Sequence, residues 1–194
     1  GAHRFDKILS LIKPGDYFLV QFGHNDMKEL AKNPNAPQAY KAGLIDWVQK
    51  IKAKGATPVI VTPMNRHSFQ NGVVVNSLDV YPQMAREAAS ETGTALIDLN
   101  ASSKTLYEAL GEKGSLALFE HTENYAQMDA THHSPYGAYE LAKLIVEGLR
   151  ADKLPIAAQV LDGLPKFDPA HPDKEFDFKV PAAATFAAAK PFGS

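Results

Sequence analysis

Three short apolar runs, separated by segments of helical periodicity, constrain the fold of this chain more than any other feature. The runs lie at 17–22, 57–62 and 95–99. The first is apolar at nearly every position, which is typical of a strand covered on both faces of a sheet. Helical patterns follow the runs at about 38–54, 81–91 and 101–110. This alternation predicts an α/β fold, a three-layer α/β/α sandwich built on a parallel sheet.

The alternating pattern stops near residue 152, which divides the chain into two predicted parts. Residues 1–152 form the α/β domain, and 45% hydrophobic content over 194 residues is enough for one substantial core. Residues 153–194 are rich in proline and carry alanine runs at 182–184 and 187–189. Such a composition predicts an extended tail or linker.

The charge balance and composition argue against several classes of partner. Twenty basic and 22 acidic residues give a net charge of −2, so no basic excess attracts nucleic acid. Membrane contact is not expected either, because no run approaches the roughly 18 apolar residues of a spanning helix. The chain has no cysteine, which excludes disulfides and thiolate chemistry.

Three strands are few for a doubly wound domain. A strand as apolar as 17–22 requires neighbours on both edges. Either the tail near Phe176–Val180 supplies the missing neighbour or a segment precedes Gly1 in a longer protein. We expect the second, so the sheet is predicted to lack its first strand or strands.

A polar turn, Gly23–Asp26 (GHND), follows the first apolar run directly. Open α/β sheets place their ligand sites at the carboxyl ends of parallel strands. The side-chain amide of Asn25 is a suitable donor to an oxyanion that develops in a transition state. Asp26 is expected to brace the turn by accepting backbone N–H groups.

A second polar group lies just before the last helix. Ser134-Pro135 predicts a helix start, because serine caps free N–H groups and proline fits the first helical position. Asp129 and His132 precede it and are expected in a loop, where the carboxylate can fix one imidazole nitrogen and leave the other free as a base. In the alternative interpretation of this short pattern, Asp129 and His132 are loop residues that only cap backbone groups and contact solvent.

Taken together, these motifs resemble the SGNH (GDSL-type) hydrolases. Gly23-x-Asn25-Asp26 and Asp129-x-x-His132 are similar to blocks III and V of that family. The longer matches Gln21–Asp26 and Asp129–Ala138 resemble its rhamnogalacturonan acetylesterase branch, as do Lys13–Tyr17, Val61–Pro63 with Arg66, and Leu96–Leu99. The resemblance runs from about Phe5 to Arg150 and implies a flavodoxin-like sandwich.

The resemblance also implies a chemistry. Asn25 would donate to the oxyanion, His132 would be the general base and Asp129 its orienting carboxylate. The implied reaction removes acetyl groups from pectic polysaccharide, or from a small acetyl ester, through a serine nucleophile and without metal or cofactor. Such an enzyme is secreted or periplasmic.

Blocks I and II, which carry the nucleophilic serine and a second oxyanion donor in the family, have no counterpart here. The only Gly-Asp pair, Gly15-Asp16, precedes its strand and is followed by Tyr17. In the family these blocks come before the point that Gly1 occupies. We therefore expect the nucleophile to lie outside this chain, on a missing segment or an additional chain, and this chain alone to lack esterase activity.

Two further hypotheses remain open. A mixed nitrogen and oxygen metal site is conceivable from His24, Asp26, Asp129, His132 and His133. A non-catalytic carbohydrate-binding module would need exposed aromatic residues, and Tyr125, Tyr136 and Tyr139 are the candidates near the site. Within the esterase hypothesis, the candidate substrate contacts are His24, Arg66 and His133, with Arg66 suited to a sugar carboxylate.

Overall fold

The computed structural model of the protein describes residues 4–121 and 127–179. Its helices are α1 Arg4–Leu11, α2 Ala36–Ala53, α3 Tyr81–Thr92, α4 Leu99–Gly114 and α5 Pro135–Ala151. Its strands are β1 Tyr17–Val20, β2 Thr57–Val61, β3 Phe69–Gln70, β4 Val73–Val74, β5 Ala95–Ile97, β6 Phe119–His121 and β7 Met128–His133. In these ranges no helix is both long and apolar enough to cross a membrane.

The predicted parallel sheet is confirmed. Its order is β1-β2-β5, with Tyr17 opposite Thr57 in one pair and Val59 opposite Ala95 in the other. Among the described residues β1 lies at the edge, and residues 176–179 pair with no strand. The alternative in which this part of the tail completes the sheet is therefore wrong, because Glu175–Asp177 form a short 3₁₀ turn instead.

The three layers follow from the alternation of side chains along the central strands. Val59 and Val61 of β2 face a core that also contains residues of α4 and α5. Ile60, between them, faces a second core shared with α2 and α3. At β2 both faces of the sheet are thus covered by helices, which explains why this strand is apolar at consecutive positions.

Two small hairpins lie outside the main sheet. β3 and β4 pair around Asn71-Gly72, both with positive φ, which confirms the predicted turn in the 68–79 segment. β6 and β7 pair antiparallel, with Phe119 opposite His133. Asp129–His132 therefore lies in a strand, and the predicted loop is wrong. The stretch from Gly114 to Met128 carries no strand pattern of its own, so this pairing could not be expected from local sequence.

Helix α5 begins as predicted, and a single residue, Ser134, separates it from β7. Ser134 is the N-cap, and its Oγ accepts a hydrogen bond from the Gly137 N–H at 3.1 Å. The same hydroxyl donates to the Ala117 carbonyl at 2.7 Å, which ties the cap to the segment before β6. Gly137 is required by contact, because a Cβ there would lie 1.9 Å from the Leu118 carbonyl oxygen.

The described part of the C-terminal segment, 153–179, lies along α5. Ile156 and Phe167 are partly buried against the core, and the Tyr136 hydroxyl donates to the Asp173 carbonyl at 2.6 Å. Lys143, which is paired with Glu140 within α5 at 2.7 Å, also forms an ion pair with Asp173 of the segment at 2.6 Å. These contacts bind the segment to the helix that follows the Asp129–His132 pair. The boundary near residue 152 stays a prediction.

Candidate active site

The turn after β1 is held by its own side chains. Gly23 has a φ of +129°, and a Cβ at this position would lie 3.0 Å from Pro63, so the residue has to be glycine. The Asp26 carboxylate accepts the Gly23 N–H at 3.1 Å. The expectation that Asp26 braces the turn is therefore confirmed.

Asn25 stands at the start of a 3₁₀ turn, Asp26–Glu29, with its side chain exposed. Lys28 Nζ donates to Asn25 Oδ1 at 2.9 Å. This contact fixes which end of the amide is the oxygen. The Asn25 Nδ2 group has no hydrogen-bond partner within 4–121 and 127–179, so it is available to donate to a ligand.

In β7, the carboxylate of Asp129 makes three hydrogen bonds. Its Oδ2 lies 2.6 Å from His132 Nδ1, and its Oδ1 accepts the N–H groups of Thr131 at 2.8 Å and His132 at 3.1 Å. The His132 ring contact, followed by the two backbone donors, lowers the pKa of Asp129 to about 2. Because the carboxylate is ionised at neutral pH and can only accept, Nδ1 must carry the proton, and a neutral imidazole then has its lone pair on Nε2.

One cleft of about 610 Å³ brings the two polar groups together. It is lined by His24, Asn25, Met27, Lys28, Met64, Arg66, Asp129, Thr131 and His132. Asn25, Asp129 and His132, which the sequence analysis selected, thus share one surface. Their catalytic roles stay predictions.

Arg66 lies in the cleft wall, but its guanidinium is occupied by the protein. Its terminal nitrogens donate to the carbonyls of His24 at 2.8 Å and Ser77 at 3.3 Å, and Nε donates to Thr131 Oγ1 at 3.2 Å. All three guanidinium nitrogens are therefore engaged within the chain. Two of the five guanidinium N–H donors remain, one on each terminal nitrogen, so the predicted bidentate contact with a sugar carboxylate stays a prediction.

The His24 ring lies mostly buried beside Arg66. Burial, and then the nearby Arg66 charge, lower the pKa of this imidazole, although a hydrogen bond to the Met64 backbone partly opposes them. Its Nε2 is buried and has no hydrogen-bond partner in the described part of the chain. The ring is consequently neutral at neutral pH, and as a substrate contact His24 stays a prediction.

His133 points to the other side of β7 from His132, because successive side chains of a strand alternate. Its Nε2 lies 2.8 Å from the Tyr107 hydroxyl, and its ring packs 4.5 Å from Phe119. Burial, and then the charges of His24 and His132, lower the pKa of His133 to about 4. His133 does not line the cleft, so the structure does not support it as a substrate contact.

The structure favours neither alternative hypothesis at this site. Within the described ranges, no group of three or more His, Asp or Glu side chains is arranged to hold a metal ion. No Phe, Tyr or Trp in those ranges lines the cleft. Tyr136 is buried, Tyr139 packs against Phe178, and Tyr125 lies outside the described residues.

Four cleft residues were not predicted from the sequence: Met27, Met64 and the polar Lys28 and Thr131. Lys28 follows Asn25 by three positions, a spacing that one helical turn brings together, so this contact was detectable. Thr131 occupies the position before His132, but its contact with Arg66 joins residues 65 positions apart, and no local pattern indicates it.

Comparison with known proteins yields clear relatives. Rhamnogalacturonan acetylesterase RhgT of Bacillus subtilis (strain 168) is 39% identical over 162 residues, which are 79% of this chain and 68% of RhgT. The probable rhamnogalacturonan acetylesterase YesY of the same strain is 32% identical over 160 residues, 81% of this chain and 73% of YesY. No protein-family model matches the chain.

A solved structure supports the same relationship. The crystal structure of YxiM from Bacillus subtilis matches with a TM-score of 0.68 at 31% identity, over 78% of this chain. The matched part is 41% of the YxiM chain, so the present chain spans less than half of that protein.

Proposed function

Since this chain belongs to the SGNH hydrolase family, in its rhamnogalacturonan acetylesterase-like branch, we propose that its cleft serves the hydrolysis of acetyl esters on carbohydrate. The observation that carries the proposal is the shared cleft of Asn25, Asp129 and His132. An amide donor and a carboxylate-oriented imidazole on one surface are the two parts that acyl transfer requires besides a nucleophile.

The chemistry follows from the hydrogen bonds of the site. His132 Nε2 takes the proton of an attacking serine hydroxyl while the oxygen forms a bond to the acetyl carbon. Asn25 Nδ2 donates to the carbonyl oxygen as it becomes negative. His132 then returns the proton to the departing sugar oxygen. Water, activated by the same ring, releases acetate and regenerates the serine.

The serine is the component that the described cleft does not supply. None of the serines within 4–121 and 127–179 lines it, and Ser134, the nearest to His132 in sequence, is engaged as a helix cap. Because the sequence also has no counterpart of the family blocks that carry the serine, we propose that a hydroxyl from polypeptide outside these 194 residues completes the site. The 194-residue chain by itself is then not expected to turn over esters.

The relatives bear on the substrate. RhgT is named a rhamnogalacturonan acetylesterase and YesY a probable one. We accordingly propose an acetylated polysaccharide of the rhamnogalacturonan type as substrate, which places the protein where such polymers occur, outside the cytoplasm.

Hydrolysis of p-nitrophenyl acetate by the purified 194-residue chain tests the nucleophile proposal. We expect no turnover above the rate of a His132→Ala variant. Turnover that His132→Ala abolishes would show that the nucleophile is within the chain, because a base acting with a nucleophile carries most of the activity. Turnover that is lost both in His132→Ala and after chelation of the wild type would instead favour the metal alternative, in which His132 is a ligand.

Substrate recognition can be tested without turnover. We expect an acetylated rhamnogalacturonan oligosaccharide to shift the NMR signals of the Asn25 side-chain amide and of the His132 ring. The same oligosaccharide after chemical deacetylation is the matched control and should shift them less. Equal shifts with both ligands, or none with either, would contradict an acetyl-ester site.

A further inference from the structure

We propose that Arg66 is a positioning residue that holds the oxyanion donor and the base in register across the cleft. The inference rests on the proposed function, since it concerns how Asn25 and His132 are placed for it. It also changes the role assigned to Arg66, from a contact with substrate to a connection between two parts of the site.

Two hydrogen bonds of Arg66 each end at the residue directly before a group of the proposed site. One terminal nitrogen donates to the carbonyl of His24, the residue directly before Asn25. Nε donates to the hydroxyl of Thr131, the residue directly before His132. One rigid group is therefore attached one residue away from each of the two groups that the chemistry requires.

The guanidinium is suited to this connection. It is planar and permanently charged, so the directions of its donors are fixed relative to one another. The third contact, to the Ser77 carbonyl, anchors the group to the segment before α3. A lysine ammonium is a compact charge on a flexible stem and cannot reproduce three divergent contacts at once.

The connection reinforces one backbone contact between the segment of Arg66 and β7, in which the His67 N–H donates to the Ala130 carbonyl at 2.9 Å. β7 pairs only with β6 in the described structure, and β1 belongs to the main sheet. The turn after β1 and the strand that carries His132 are thus in different sheets. Arg66 supplies hydrogen bonds that link them directly, and displacement of a reacting group by about 1 Å can cost roughly 100-fold in rate.

Two variants of Thr131 separate positioning from general stability. Thr131→Val removes the hydroxyl that Arg66 contacts at nearly constant volume, and Thr131→Ser keeps it. We expect Thr131→Val to shift the His132 ring signals and weaken the low-field signal of its hydrogen-bonded Nδ1 proton. Thr131→Ser should restore both, and neither variant should shift the Asn25 amide.

Variants of Arg66 itself should affect both sides of the cleft. We expect Arg66→Lys to shift the Asn25 amide and the His132 ring together. Arg150→Lys is the matched control, because Arg150 also donates to backbone carbonyls, at Leu164 and Pro165, outside the cleft. It should leave both signals unchanged.

The outcome separates this inference from the proposed function. Folded Arg66→Lys and Thr131→Val proteins with wild-type Asn25 and His132 signals would overturn the positioning role, while the wild-type chain could still bind the acetylated oligosaccharide. If Arg66→Lys does not fold, the His132 signals of Thr131→Val and Thr131→Ser decide whether Arg66 has a positioning role. If the Asn25 and His132 signals shift in the variants as expected but the wild type does not bind the acetylated oligosaccharide, the proposed function is overturned instead.

Discussion

Replacing His133 by glutamine should make the protein less sensitive to acid. In the folded protein burial lowers the pKa of His133 to about 4, against 6.5 for the unperturbed side chain. Below pH 6.5 the unfolded chain binds a proton at this residue that the folded protein excludes. The free energy of unfolding therefore falls as the pH decreases from 6.5 to 4, and above this window the residue has no such effect.

The size of the effect follows from the two pKa values. The difference of 2.5 pH units (6.5 − 4), at about 1.36 kcal/mol for each unit, corresponds to about 3 kcal/mol lost by pH 4. Glutamine does not titrate, and its amide can still reach the Tyr107 hydroxyl. The variant will be less stable than the wild type at pH 7.5 through changed packing, but that deficit should shrink by about 3 kcal/mol at pH 4.

Urea unfolding at pH 7.5, 6, 5 and 4, with wild type and His133→Gln in parallel, measures this difference. Groups that do not interact with His133 cancel in the subtraction, and burial of the His133 ring is the largest cause of the difference that remains. Tyr107→Phe is the control for the hydrogen bond. It should keep the wild-type pH dependence, because burial is the main cause of the lowered pKa. A deficit of His133→Gln that is the same at every pH would refute the argument.

Two other predictions concern a close helix contact and a buried ion pair. Gly137→Ala should destabilise the protein by about 3 kcal/mol in thermal and urea unfolding, because its Cβ would meet the Leu118 carbonyl oxygen at 1.9 Å. Gly43→Ala, in the interior of α2 with nothing within 4 Å of the new Cβ, should instead stabilise by about 1 kcal/mol, and a similar loss in both variants would contradict the contact argument. Lys143→Met should cost about 3 kcal/mol, because it leaves the buried carboxylate of Glu140 without its cation. Adding Glu140→Leu should recover most of that loss; a double variant no more stable than Lys143→Met would show that the charge is not the cause.

Local sequence was informative wherever a structure is decided by a few consecutive residues. The three runs of the parallel sheet, the Asn71-Gly72 hairpin turn and the capped start of α5 at Ser134 were all predictable. The sheet follows from the apolar pattern of its strands, the turn from residues that adopt positive φ, and the helix start from a side chain that caps free N–H groups. The Asp129–His132 contact was predictable for the same reason, since its partners are three residues apart.

What required the tertiary structure was every contact between distant segments. The pairing of β6 with β7 turned a predicted loop into a strand, and that strand directs His132 to the cleft and His133 to Phe119. The two adjacent histidines have the same side chain, and the side of β7 on which each lies makes one ring exposed and the other partly buried. The role of Arg66 was likewise not predictable from local sequence. Which acceptors its guanidinium contacts depends on the segments that the folded chain brings next to it.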